Sequence, residues 1–221
     1  MDASEIASYL KSHPEFFEQY AELLSQLHIP SPHGGRAISI TERQMITLRD
    51  KVKDLEAKLA ELIHFGEEND VIAGKVHRLG VALQSATDLA GVMRMLYSHL
   101  GGAFAVPHVA VRLWGIGQGE DETEVSPVSD GIKAFAGAAK TPYCGPAAGQ
   151  DAVAWLGERG DHVRSVAQIP LRETAGLSGG VCFGLLLLAS EEVQRFYPEM
   201  GTLYLEQIGD MTSAALLRVV G

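Results

Sequence analysis

The chain has 221 residues, of which 46% are hydrophobic and 21% are charged, a composition typical of globular proteins that excludes an intrinsically disordered chain. Its 28 acidic residues outnumber the 18 basic ones, and the net charge is −10. A negatively charged surface repels phosphate backbones, which argues against direct binding to nucleic acid. The two cysteines form no disulfide framework and match no zinc-binding spacing.

The N-terminus has neither the basic segment nor the apolar stretch of a signal peptide. The longest nearly unbroken apolar run, residues 181–189, is far shorter than the roughly 20 residues of a membrane-spanning helix. We therefore expect a cytoplasmic protein that does not bind membranes.

Residues 1–36 are predicted to form a helical hairpin and a linker. Ile6 and Tyr9 recur at helical spacing, and Pro14 ends the first helix. The second helix carries an apolar stripe: Phe16, Phe17, Tyr20, Leu23, Leu24 and Leu27. Such a stripe needs a covering surface. We expect this chain or a second copy to supply it, and the alternative is a partner protein that docks there. The prolines and glycines of residues 29–36 end the hairpin.

Residues 37–86 are predicted to form one long helix with a heptad pattern. Spacings of three and four alternate along its seam: Met45, Leu48, Val52, Leu55, Leu59 and Leu62. The same register places Gly66 and Asn69 on the seam, so the pattern is strong for three heptads and weak afterwards.

This seam predicts a homodimer held mainly by residues 41–63. In a parallel pair, Lys51 at a g position would meet Glu56 at an e position of the partner. Antiparallel packing within one monomer is the alternative, and the leucines alone do not separate the two arrangements.

Residues 87–221 are predicted to form one α+β domain with an antiparallel sheet flanked by helices. Its predicted elements are a helix at about 88–100, strands at 108–114, 163–171 and 181–189, and a helix at about 201–220. The third of these strands is nearly all apolar, which indicates a central strand covered on both faces. Long antiparallel strands, rather than alternating strands and helices, favour α+β over α/β.

Arg112 and Trp114 share one face of the first predicted strand, and alternating valines occupy the other face. A charged and an aromatic side chain together suit an anionic or planar ligand. An exposed, ion-paired face is the alternative. A buried Arg112 would need a partner, and Asp130 and Asp151 are the candidates; otherwise the site is open to an anion.

Tyr143 and Cys144 lie in a turn bounded by Pro142 and Pro146, which we expect to form the roof of that face. The predicted ligand-binding residues are therefore these two together with Arg112 and Trp114. An isolated cysteine is more often a small buried hydrophobic residue than a reactive thiol, and we expect packing for Cys144.

The chain contains no Walker loop, no His-Glu-x-x-His pair and no Gly-x-Ser-x-Gly elbow. We therefore predict no catalytic residue and no metal ligand, and no cofactor is identified.

Several segments resemble an uncharacterised bacterial family catalogued as domain of unknown function four-eight-four. They are residues 9–17, 32–35, 39–44, 142–145, 184–190 and 195–202. The family is similar to GAF domains in fold, and its genes tend to lie near a tyrosine recombinase of chromosome-dimer resolution. The resemblance therefore implies a GAF-like domain and an accessory protein partner, but no catalytic residue. The acidic stretch 117–124 departs from the family.

Three functions follow as hypotheses. The first is a non-enzymatic, GAF-like sensory or ligand-binding module that dimerises through its N-terminal helix. The alternative is a structural or adaptor dimer without a ligand, accessory to a recombinase. A thiol enzyme based on Cys144 lacks the further cysteines that such chemistry uses.

Overall fold

A computed structural model of the chain describes residues 2–26, 28–29, 38–115, 123–173 and 180–220. The chain divides into two compact units, Met1–Glu67 and Glu68–Gly221. Most of the predicted linker, residues 30–36, and most of the acidic stretch, residues 117–122, lie outside the described residues.

The first unit begins with short helices. They are α1 (Ala3–Ser12), α2 (Glu15–Gln19) and α3 (Ala21–Gln26), followed by β1 (His28–Ile29) and β2 (Ile38–Ser39), which pair antiparallel. Asp2 and Glu5 form a capping box at the start of α1, with the Asp2 side chain accepting a hydrogen bond from the Ala3 N–H at 2.7 Å. The second predicted helix is split because Tyr20 leaves the helical conformation, at φ −119° and ψ 40°.

Helix α4 (Ile40–Ser85) is the predicted long helix, and it is continuous over 46 residues. Sequence placed the domain boundary at residue 87, whereas the second compact unit begins within α4 at Glu68. The reason is that the last turns of α4 carry Val76, Leu79 and Leu83 into the core of this unit.

The second unit is an α+β domain, as predicted. Its elements are α5 (Leu89–Ser98) with a π-helical turn (His99–Ala103), β3 (His108–Leu113), a 3-10 turn (Thr123–Val125), α6 (Asp130–Ala138), β4 (Tyr143–Pro146), a 3-10 segment (Asp151–His162), β5 (Ser165–Arg172), β6 (Cys182–Ser190) and α7 (Leu203–Val220). The three predicted strands are present, and α6 and β4 lie in the region that was expected to be irregular.

The four strands of this unit form an antiparallel sheet in the order β3-β6-β5-β4. The apolar strand β6 is central, which confirms the prediction from its composition. Its residues alternate between two cores: Leu186 and Leu188 face the core formed with α4, α5 and α7, and Leu185 and Leu187 face the core formed with α6 and the 3-10 segment.

We predict that Gly184→Ala on β6 lowers the free energy of unfolding by about 2 kcal/mol through overpacking. An added Cβ would lie 2.7 Å from Leu113 Cδ2 and 3.0 Å from the backbone oxygen of Arg112, which cannot move without disrupting β3. Urea denaturation measures the change.

The matched control is Gly137→Ala in α6, where an added Cβ meets no atom within 4 Å. It should be neutral or stabilising, since alanine favours the helix by up to about 1 kcal/mol. Equal unfolding midpoints for the two variants would contradict the packing described for β6.

Candidate functional site

Arg112 and Trp114 lie at one edge of the sheet, in and just after β3, on the face covered by α6 and the 3-10 segment. The Arg112 guanidinium lies 5.4 Å from the centre of the Trp155 ring, and its Nη1 donates to the Val111 carbonyl at 2.9 Å. Trp114 Nε1 donates to the Cys182 carbonyl at 2.9 Å. Both side chains therefore have partners within their own domain, and a cation–π contact covers the arginine.

Asp130 and Asp151 were the candidate partners of a buried Arg112, with a site open to an anion as the alternative. Asp130 lies 3.9 Å from Lys133 instead, and among the described residues neither Asp130 nor Asp151 forms an ion pair with Arg112. The stacked Trp155 and the backbone carbonyl partner take the place of a carboxylate.

Tyr143 and Cys144 lie on β4, at the opposite edge of the sheet from Arg112. Strands β6 and β5 separate the two edges, and three strand spacings amount to about 14 Å. Successive residues also point to opposite faces: Tyr143 packs against the core that contains Trp114, and Cys144 belongs to the other core.

The four predicted ligand-binding residues are therefore not brought together. The segment around Pro142 and Pro146 was expected to form a roof over the sheet, but it pairs with β5 and extends the sheet. Residues of α6 and the 3-10 segment, such as Ile132 and Leu156, cover that face instead. Ligand binding by any of the four stays a prediction.

Cys144 is 7% exposed and packs in the core formed with α4, α5 and α7. Burial raises the pKa of its thiol from 9.0 to about 11. Burial also raises the pKa of the Cys182 thiol, which donates to the Gly184 carbonyl at 3.3 Å. Neutral thiols are poor nucleophiles, so the surroundings of both cysteines favour packing over reactivity.

A polar cluster covers the outer edge of β3, and no pattern in the sequence indicated it. The Tyr97 hydroxyl donates to Glu124 Oε1 at 2.9 Å, and burial, together with that carboxylate, raises the pKa of Tyr97. The turn that carries Glu124, Thr123–Val125, lies beside β3. An edge strand that is covered in this way is protected from pairing with another chain.

The contacts of Arg172 on β5 were not predicted from the sequence, because this residue lies in an apolar strand and belongs to no motif. It is 8% exposed, and its Nη2 lies 3.0 Å from each of the carbonyl oxygens of Ala136, Gly137 and Ala139. These carbonyls end α6, where the helix dipole favours a positive charge. The arginine therefore fixes the end of α6 on the sheet.

A cavity of about 240 Å³ lies between the C-terminal turns of α4 and α7. Its lining is mostly apolar: Gly80, Leu83, Gln84, Met211, Ala214, Ala215 and Arg218. Arg218 donates to the carbonyls of Leu83, Gln84 and Ala86, at 2.7 to 3.0 Å, and so caps the end of α4. The cavity is smaller than the pockets of about 300 to 1,000 Å³ that hold drug-sized ligands.

The heptad seam of α4 is exposed. Its six residues from Met45 to Leu62 are each 47 to 67% exposed. Within the first unit, no described residue covers this seam.

None of the helices in the described part of the chain combines the length and the apolar character needed to cross a bilayer. No group of three or more His, Cys, Asp or Glu side chains in these residues is arranged to hold a metal ion.

We predict that Arg172→Met lowers the free energy of unfolding by about 3 kcal/mol, because the carbonyls at the end of α6 lose a charged donor. Arg164→Met is the matched control, since Arg164 is exposed, and its effect should stay within about 0.5 kcal/mol. Thermal and urea denaturation both measure the difference. Similar losses in the two variants would show that Arg172 does not anchor α6.

We predict that Cys144→Ser lowers the free energy of unfolding by about 1 kcal/mol and leaves the fold intact. The raised pKa means that the protonated thiol stabilises the folded state fully below pH 9 and that this contribution is lost as the pH rises towards 11. The serine variant should therefore show a weaker decline in stability over that alkaline range.

Iodoacetamide labelling followed by mass spectrometry gives an independent measurement. Cys144 should react at pH 7.5 only after unfolding in urea, which serves as the control. Rapid labelling of Cys144 in the folded protein would contradict the assignment to packing.

Comparison with known proteins confirms the family resemblance over the full length of the chain. The family model described as "Protein of unknown function, DUF484" matches residues 1–220. The uncharacterized protein YigA of Salmonella typhimurium is 24% identical over 224 residues, which cover 99% of this chain and 92% of that protein. YigA of Shigella flexneri is 25% identical with the same coverage. The chain belongs to the DUF484 family.

Proposed function

We propose that this protein is a non-enzymatic adaptor dimer, in which the N-terminal part of α4 pairs with a second copy and the α+β domain and the hairpin serve protein partners. The observation that carries this proposal is the exposed heptad seam of α4, from Met45 to Leu62. The GAF-like character that the family resemblance implies remains part of the proposal.

The seam supports dimerisation on energetic grounds. Helices in proteins gain most of their stability from burying an apolar face, and this face is in water in the single chain. Covering six half-exposed apolar side chains contributes roughly 1 kcal/mol each in every copy. Monomeric proteins rarely leave such a continuous apolar stripe exposed.

A second copy is favoured over this chain's own hairpin as the covering surface. The hairpin also leaves large side chains exposed, among them Ile6, Tyr9 and Tyr20. Both apolar surfaces of the first unit are therefore available, the seam to a second copy and the hairpin to a protein partner. A tyrosine recombinase is the partner that the gene neighbourhood of the resembling family suggests.

The adaptor is favoured over the ligand sensor because the predicted sensory residues lie apart. Arg112 is stacked on Trp155 and donates to a backbone carbonyl, so its guanidinium already has partners within the chain. Tyr143 and Cys144 lie at the other edge of the sheet.

A ligand-regulated dimer is the second candidate, and the cavity between α4 and α7 favours it. Gly80 and Leu83 of α4 line this cavity, so a small apolar ligand there would contact the helix that dimerises. Native mass spectrometry of the purified protein tests this candidate. A bound small molecule whose removal lowers the melting temperature would support it, and a protein of purely polypeptide mass would not.

We predict that the double variant Leu55→Asp, Leu62→Asp is monomeric at micromolar concentration, because charges in the seam lose their hydration on pairing. Light scattering measures the mass. Melting of the α+β domain, whose core contains neither residue, should be unchanged.

Ile46→Asp is the matched control, since Ile46 is an apolar residue of the same helix that is 45% exposed but lies off the seam. This variant should remain dimeric. A wild-type protein with the mass of one chain would contradict the proposed function.

A further inference from the structure

We propose that two copies of the chain pair in parallel and in register along residues 45–62 of α4. This inference rests on the proposed dimer and adds the partner's direction and alignment. The segment is one uninterrupted helix, so a single heptad register applies to its whole length.

The seam itself favours this arrangement. In a parallel, in-register pair each seam residue packs against its own counterpart. Leu48, Leu55 and Leu62 then fill every d layer, and the β-branched Val52 fills the central a layer. Leucine at d with a β-branched residue at a is the combination that favours two parallel strands.

The flanking charges agree with the parallel pairing. Each g residue meets the e residue five positions later on the other helix. Lys51 therefore meets the partner's Glu56, and the symmetry of the pair makes this contact twice. The neighbouring contact, between Lys58 and the partner's Ile63, contains no like charge.

An antiparallel pair has a less favourable charge pattern. Its best seam overlap places Leu48 opposite the partner's Leu59, and g residues then flank g residues. Lys51 would lie beside the partner's Lys51 and Lys58, where like charges repel. On the other side Arg49 would attract Glu56, so attraction and repulsion oppose each other, whereas the parallel pair has attraction alone.

The direction has a functional consequence. Because α4 continues into the second unit, both copies of that unit follow from the same end of a parallel pair. A partner with two sites for this unit would then form its second contact within the same complex, at a raised effective concentration.

Cysteine cross-linking of the full chain tests the proposal. Both variants are made in a background of Cys144→Ala and Cys182→Ala. The Leu48→Cys variant is oxidised once alone and once in a mixture with the Leu59→Cys variant. A parallel pair brings the two copies of residue 48 together, so Leu48→Cys alone should give a covalent dimer on a non-reducing gel. In an antiparallel pair these positions are about 16 Å apart, since 11 residues separate 48 from 59, and a disulfide spans at most about 7 Å between Cα atoms.

Lys53→Cys, on the outside of the pair, is the control and should stay uncrosslinked. A dimer by light scattering that cross-links only in the mixture of Leu48→Cys and Leu59→Cys would overturn the parallel direction and leave the proposed function intact. A monomer by light scattering would overturn both.

A charge reversal in the otherwise unchanged protein gives a second measurement. For a parallel pair, Lys51→Glu should weaken dimerisation about tenfold at low salt, and adding Glu56→Lys should restore it. For an antiparallel pair, Lys51→Glu would strengthen the dimer by removing lysine repulsion. Lys53→Glu is the control, because it alters similar contacts within the helix without facing the partner.

Discussion

The burial of β6 on both faces constrains the whole α+β domain. Leu185 and Leu187 pack in one core and Leu186 and Leu188 in the other, so neither face of this strand is available to solvent. Each leucine contributes about 2 kcal/mol by leaving water. The sheet therefore needs a helical layer on each side: α4, α5 and α7 on one, and α6 with the 3-10 segment on the other. Both layers are occupied by the protein's own side chains.

Three arginines connect separate segments of this domain through backbone carbonyls. Arg172 donates to carbonyls at the C-terminal end of α6, and Arg218 donates to those at the C-terminal end of α4. Arg195 donates to the Phe104 carbonyl after the π-helical turn. Each guanidinium meets the negative end of a helical segment, where the dipole favours a cation. These contacts hold positively charged side chains against the protein's own backbone, in a chain whose acidic residues already outnumber its basic ones.

Periodicity predicted the elements whose apolar pattern is uninterrupted. The seam from Met45 to Leu62 identified α4, and the apolar run 181–189 identified the central strand. The four residues Tyr143–Pro146 of β4 are too few to show alternation, and the prolines at positions 142 and 146 favoured a turn, so the edge strand was missed. Without β4 the positions of Tyr143 and Cys144 across the sheet from Arg112 were not predictable. Arg172 has no local motif, because its partners in α6 lie more than 30 residues away.

The two ends of α4 show how one helix serves two different surfaces. Near its C-terminus Leu79 and Leu83 are almost fully buried in the domain core, whereas Leu55 and Leu62 of its first half are more than 60% exposed. Leucine has the same affinity for an apolar environment in both places, so the difference is one of available partners. The buried leucines find theirs in the α+β domain of the same chain. The exposed ones belong to the first unit, and in the proposed dimer an identical helix covers them, because the same heptad register is present in both copies.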